Sequence, residues 1–190
     1  MNIEIIDDII NTDLEIKIYE AMTSIHFPWF YQKKGTVNNI ERDIKGVYDA
    51  PQFCHVFYKR ENGITEKNSE NCHIADLLLT AYMDYKQTNI SLLRSKANFQ
   101  CQSPINGNEK RKFNPPHVDL IDAGDYITAI YYVNNSDGDT YFFDDDYNVI
   151  KKVSPKMGRL VVFDGNIFHA GNHPIKSQER IVINYGFKIV

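Results

Sequence analysis

From Leu92 onward the chain alternates as a two-sided β-strand does. Leu93, Ser95, Ala97, Phe99 and Cys101 fall on one side, and Arg94, Lys96, Asn98, Gln100 and Gln102 on the other, because successive side chains of a strand point to opposite faces. An apolar side against helices and a polar side turned inward imply a barrel whose interior does chemistry; a sheet with its polar side in water is the plainer alternative. Further short runs follow at Tyr126–Asn134, Thr140–Phe143, Val149–Val153, Leu160–Phe163, Ile167–His169 and Arg180–Lys188, with turn residues between them. About eight short strands predict an α+β, mainly β fold, a double-stranded β-helix or jelly roll with N-terminal helices packed on one sheet.

The N-terminal part supplies those helices. Ile3–Ile6 reads as a short strand. Thr12 with Glu15 three residues later is a capping-box signature ahead of Leu14, Ile18, Met22 and Ile25 at helical spacing. The segment HFPWFY, His26–Tyr31, is aromatic and broken by Pro28, so it is extended; its Trp29 either plugs the core or lines a substrate groove. Lys33–Ala50 reads as loop, Gln52–Lys59 as a strand with a structural His55, and Arg60–Asn68 as a turn-rich connection. Ile74, Leu77, Leu78, Ala81, Tyr82 and Tyr85 place a second helix at about Ser69–Gln87.

At 190 residues the chain suits one domain, with 1–89 as helical and strand support and 90–190 as the core. The N-terminus MNIEIIDDII has no basic leader, and no apolar run reaches membrane-spanning length, which predicts no membrane association and a cytoplasmic protein. Cys54, Cys72 and Cys101 are odd in number and widely spaced, against a disulfide framework, and read as buried apolar fillers. The net charge of -4 gives no general attraction to phosphate backbones.

The chemistry-bearing stretch is NPPHVD, Asn114–Asp119. His117 and Asp119 are two apart, so an extended backbone puts both side chains on one face. His169, ending the run LVVFDGNIFH, is placed by sequence to return to that site; His173, four residues on and before Pro174, is the rival. Two imidazoles and one carboxylate, with the opposite face open, are the ligand set of non-haem Fe(II) oxygenases. Arg180 opens the apolar strand RIVINYGF, where a fixed guanidinium suits a dicarboxylate. Arg94 and Lys96 are competing cations. Before NPPHVD lies a long irregular segment, 103–116, whose cluster Glu109, Lys110, Arg111, Lys112 is a solvated loop tip or a contact for an acidic or nucleic substrate.

On these residues the chain resembles the Fe(II)/2-oxoglutarate-dependent dioxygenases, most closely the prolyl-4-hydroxylase-like branch and its small phage-encoded members, over roughly residues 90–190. The resemblance implies Fe(II) held by His117, Asp119 and His169, 2-oxoglutarate as cosubstrate, and dioxygen. It implies that Arg180 anchors the distal carboxylate, and that Tyr132 offers its phenol to the same group. Thr128, on the strand face of Tyr132, would line the pocket; Asn98 would donate a hydrogen bond, and Asn184 would bond near the metal. Since halogenating relatives lack the carboxylate ligand, Asp119 favours hydroxylation. The expected function is hydroxylation of a peptide, protein or amino-acid side chain, with proline one option. The alternatives are oxidative dealkylation of nucleic acid, which the acidic charge disfavours, and a non-catalytic cupin-like module, which has no need of Arg180.

Overall fold

The computed structural model describes residues 2–35, 44, 46–103, 113–121 and 123–190. The basic stretch Lys110–Lys112 and most of segment 103–116 lie outside the described residues. The architecture is the expected jelly roll, with unequal sheets.

The larger sheet has eight strands. β1 (Ile3–Ile6) pairs with β9 (Leu160–Asp164), then come β6 (Ile127–Tyr132), β11 (Glu179–Ile189), β5 (Ile90–Cys101), β3 (Gln52–Glu61) and β2 (Phe30–Gln32), with β4 (Ile64–Lys67) hairpinned onto β3. The smaller sheet joins β10 (His169–Gly171), β7 (Thr140–Phe143) and β8 (Val149–Val153). All the strand pairs are antiparallel. The helices α1 (Thr12–Thr23) and α2 (Cys72–Lys86) cover the outer face of the larger sheet. There Ile18, Met22, Ile74, Leu78 and Tyr82 pack with Phe57, Ala97, Tyr131, Ile183 and Phe187. A second cluster, with Ile130, Phe142, Val161, Phe163 and Val182, fills the space between the sheets. Removing such side chains from water is the main term holding the layers together.

The alternation of β5 holds from Arg94 to Gln100: Ala97 packs in the helix-covered cluster, while Arg94, Lys96, Asn98 and Gln100 line the interior cavity. At Leu93 it breaks, because the register against β11 shifts there; Leu92 joins the helix-covered cluster, and Leu93 packs with Leu120, Ala123 and Tyr126. Trp29 is a core plug: its ring packs on Phe27 and Phe99, and its Nε1 donates to Met22 O at 2.8 Å. His55 is structural, with both ring nitrogens engaged by Pro28 O and the Ser69 hydroxyl.

Four local readings need correction. The α1 cap is Asn11, whose Oδ1 accepts from Leu14 N at 3.0 Å, rather than Thr12. A one-residue shift among cap-competent side chains is enough to spoil the box. The 60–68 connection contains β4, because Asn62 and Gly63 both adopt positive φ (49° and 81°), the conformation of a two-residue hairpin turn. Helix α2 starts at Cys72, three residues later than Ser69. Cys72 is buried as expected, but Cys54 is half-buried and Cys101 is exposed.

Freed from the box, Glu15 folds inward. Its Oε1 is buried without a hydrogen-bond partner, and the carboxylate fills the space a side chain at Gly158 would take. Gly158 also has φ +81°, so Gly158→Ala combines backbone strain with a clash and is expected to cost about 2–4 kcal/mol in denaturant unfolding. Burial, and then the nearby Asp8 charge, raise the Glu15 carboxyl above its ordinary 4.5. A raised folded value means that stability present below pH 4.5 is lost as pH rises through the folded value. Glu15→Gln is therefore expected to flatten that decline and melt higher than wild type at pH 7.

Candidate metal centre and anion pocket

β10 begins at the site. His117, in the extended segment after Pro116, forms an isolated antiparallel bridge with His169, each N–H donating to the other's carbonyl at 3.0 Å. This pairing brings the rings to 4.8 Å between centroids. Each Nδ1 lies at a backbone carbonyl two residues earlier, Pro115 O at 3.0 Å for His117 and Ile167 O at 3.1 Å for His169. With Nδ1–H donated there, both Nε2 lone pairs are left facing the site.

Asp119 completes the group. Its carboxylate oxygens lie 4.0 Å from His117 Nε2 and 3.5 Å from His169 Nε2, and one ligand atom from each of the three residues falls within 4.8 Å of the others. His173 is elsewhere: its Nδ1 meets Cys101 O at 3.0 Å, and it lines a separate small cavity with Tyr48, Phe113 and Asn172. Burial, and then the neighbouring His169, lower His117 to about 4, so its ring is neutral at neutral pH. Burial opposes ionisation of Asp119, but His169, His117 and Arg94 outweigh it and hold the carboxyl well below the usual range. The three side chains thus present two imidazole nitrogens and one carboxylate to the same point.

The same cavity, of about 150 Å³, contains Arg180. This residue is 3% exposed, and three of its five N–H donors meet neutral acceptors: Nε meets Gly138 O at 2.6 Å, one terminal nitrogen meets Gln100 Oε1 and the other Thr140 Oγ1, both at 2.8 Å. Among the described residues no carboxylate forms a salt bridge with it, and the nearby Asp139 is taken by Lys152 at 2.9 Å. A buried cation without a counter-charge is costly unless an anion arrives.

Asn98 and Asn184 also line the cavity, and Asn184 Oδ1 is buried without a partner. Tyr132 and Thr128 stand behind its wall. The Tyr132 hydroxyl donates to Thr140 Oγ1 at 2.7 Å, and its ring lies under the Arg180 guanidinium at 5.7 Å; Thr128 is fully buried with its hydroxyl unpartnered. Because Thr140 Oγ1 accepts from both Tyr132 and Arg180, its own proton is free to donate into the cavity. Thr140 and Gln100 are the two site residues that sequence reading did not assign. Gln100 did lie on the correct face of β5; Thr140 carried no signal beyond its strand.

Residues 103–188 match the family model of the 2OG-Fe(II) oxygenase superfamily. The similarity to that superfamily lies in this C-terminal part of the chain. No curated protein matches it in sequence. Solved structures similar in fold include an oxidoreductase of the 2OG-Fe(II) oxygenase family from Burkholderia pseudomallei, with TM-score 0.69, 12% identity, and coverage of 98% of this chain and 85% of that one. The prolyl hydroxylase of Trichoplax adhaerens, solved with a hypoxia inducible factor peptide fragment, gives TM-score 0.65 at 13% identity, covering 97% and 82%. The viral collagen prolyl hydroxylase of Paramecium Bursaria Chlorella virus-1, solved with 2OG, gives 0.54 at 15%, covering 100% and 97%.

The cofactors of a 2OG-Fe(II) oxygenase are Fe(II), 2-oxoglutarate and dioxygen, and the residues here fit them. Asp119 Oδ2 and His169 Nε2 are buried with no hydrogen-bond partner, which buried polar atoms rarely are, and a cation held by His117, Asp119 and His169 would satisfy both. Arg180, Thr140 and the open face of the triad border one cavity, as a diacid bridging cation and metal requires.

Proposed function

We propose that residues 1–190 act as one Fe(II)- and 2-oxoglutarate-dependent dioxygenase domain that hydroxylates a peptidyl or amino-acid substrate, with proline the first residue to test. The observation that carries this reading is the sharing of one cavity by the His117–Asp119–His169 group and a buried Arg180 that lacks an acidic partner. The bound iron and cosubstrate supply the chemistry, coupling oxidative decarboxylation of 2-oxoglutarate to succinate and carbon dioxide with oxidation of a C–H bond by dioxygen.

The chain's own residues bind, orient and shield. The Nε2 atoms of His117 and His169 and the Asp119 carboxylate would hold the metal, leaving room beside it for the reactants. Arg180 accepts the distal carboxylate while Gly138 O, Gln100 and Thr140 fix its plane. Orientation costs are met in the folded protein before cosubstrate binds. Ile130 and Val182 line the same cavity and limit water around the reacting centre.

The peptidyl reading is supported by the prolyl hydroxylases of similar fold, one of them solved with a peptide fragment. No helix among the described residues is long and apolar enough to cross a membrane. The free thiols of Cys54, Cys72 and Cys101 accord with action in the cytoplasm. Incubating the Fe(II)-loaded protein with 2-oxoglutarate and proline-containing peptides, free amino acids or single-stranded nucleic acid is expected to release succinate, stimulated by a member of the first two groups. Stimulation by nucleic acid alone would replace this reading with oxidative dealkylation, and no succinate at all would leave a binding module.

A further inference from the structure

Arg180 uses one end of the cavity, and two more cations stand toward the other. On β5, Gln100 is opposite Arg180, Lys96 is opposite Asn184, and Arg94 is opposite Gly186. Lys96 and Arg94 are therefore about 13 and 20 Å along the strand from the Arg180 level. Arg94 donates to the backbone oxygen of Asp119 at 3.3 Å, which sets it against the triad. Lys96 donates to Gln32 Oε1 at 3.0 Å. Arg180 lies instead beside Gly171, two residues along β10 from His169, so a diacid running from Arg180 to the triad is satisfied without them.

Neutral amides connect the two ends. Gln100 Nε2 donates to Gln52 Oε1 at 3.4 Å, and Gln52 Nε2 reaches Gln32 Oε1 at 3.4 Å, the oxygen that also takes Lys96. The network holds its cations in position without neutralising them. Among the described residues neither Arg94 nor Lys96 forms a salt bridge, although both line the cavity. With the metal, Asp119, Arg180 and a doubly charged cosubstrate in balance, this end retains a positive excess.

We propose that Arg94 and Lys96 form a second anion-accepting end of the cavity that receives a carboxylate of the substrate being oxidised. This rests on the oxygenase reading above and narrows its substrate class to an acid, either a free amino acid or a peptide with an acidic side chain. Carboxylate chemistry follows from position: an anion held against Asp119 brings carbons only a few bonds away to the open face of the triad, as the α-carboxylate of an amino acid would. Burial, and then Arg94, hold the Lys96 amine below its ordinary value, a strain that an incoming carboxylate relieves.

The test is binding, read by calorimetry under nitrogen on protein loaded with Fe(II) and 2-oxoglutarate so that no turnover occurs. The probes are the proteinogenic L-amino acids, their α-carboxamides, blocked peptides carrying Asp or Glu, and inorganic phosphate. At least one acid is expected to bind while its amide does not, and free acids against blocked acidic peptides identify the source of the carboxylate. Arg94→Met and Lys96→Met should each weaken the acid about tenfold or more, a loss at least tenfold larger than any change in 2-oxoglutarate affinity. Arg94→Lys, which keeps the charge, should retain much of the binding and controls for misfolding. Amides binding as well as acids, phosphate preferred over every acid, or no acid binding at all would each overturn the proposal. So would a loss confined to 2-oxoglutarate, which would assign both cations to the cosubstrate. If wild type fails to bind 2-oxoglutarate yet binds acids through Arg94 and Lys96, the oxygenase reading falls and the anion site stands.

Discussion

Replacing His169 with alanine is expected to leave a folded protein that retains no Fe(II) and releases no succinate, while His173→Ala keeps both. Both imidazoles, four residues apart, set Nδ1 at a backbone carbonyl and bury an unpartnered Nε2, so the contrast rests on what each Nε2 faces. His169 is 2% exposed, its Nδ1 is at Ile167 O, and its unpartnered Nε2 faces Asp119 at 3.5 Å. His173 is 8% exposed but bonds to Cys101 O and borders a different cavity. Removing one of three donors leaves two, too few to hold a labile ferrous ion against water. Iron content after desalting and succinate release are the measurements. Loss of iron in the His173 variant but not the His169 variant would reassign the third ligand.

Arg180→Met should separate anchor from metal. No metal-facing atom is removed, so iron content should persist, but the concentration of 2-oxoglutarate needed for half-maximal succinate release should rise by an order of magnitude or more. That is the expected loss when a buried, charge-assisted pair of hydrogen bonds disappears. Tyr132→Phe acts one step removed: it deletes a donor to Thr140 and loosens the hydroxyl that Arg180 also holds, so a smaller rise of the same kind is expected. An unchanged requirement in Arg180→Met would move the anchor to Arg94 or Lys96.

Much of this architecture could be read in advance, for an identifiable reason. Alternation over β5 is a local pattern enforced by strand geometry, and it separated core-facing Ala97 from cavity-facing Arg94, Lys96, Asn98 and Gln100 without knowledge of any partner strand. The H-x-D spacing is local too, and His169 was legible from the apolar run that leads to it, although the strand there starts on His169 rather than ending on it. What stayed hidden depends on contacts distant in sequence. Gln100 and Thr140 are ordinary neutral residues until the fold sets both within 2.8 Å of a guanidinium from a third strand. Tyr132 was legible as an inward phenol, but its commitment to Thr140 was not. Glu15 shows the opposite failure: a good local motif was overridden by Asn11 taking the cap, and the carboxylate went into the interior.

The two-sidedness of β5 makes the strand a natural cassette for redesign. Its even-numbered positions from Arg94 to Gln100 line the cavity, whereas Leu93, Ser95 and Ala97 are buried in packing. Exchanging the charged pair for neutral or acidic residues re-addresses one end of the chamber and leaves the helix-covered face untouched. Selectivity and foldability are therefore inherited on alternate residues of the same twelve-residue segment, so a library varying only Arg94 and Lys96 can search new substrates while the packed face stays constant.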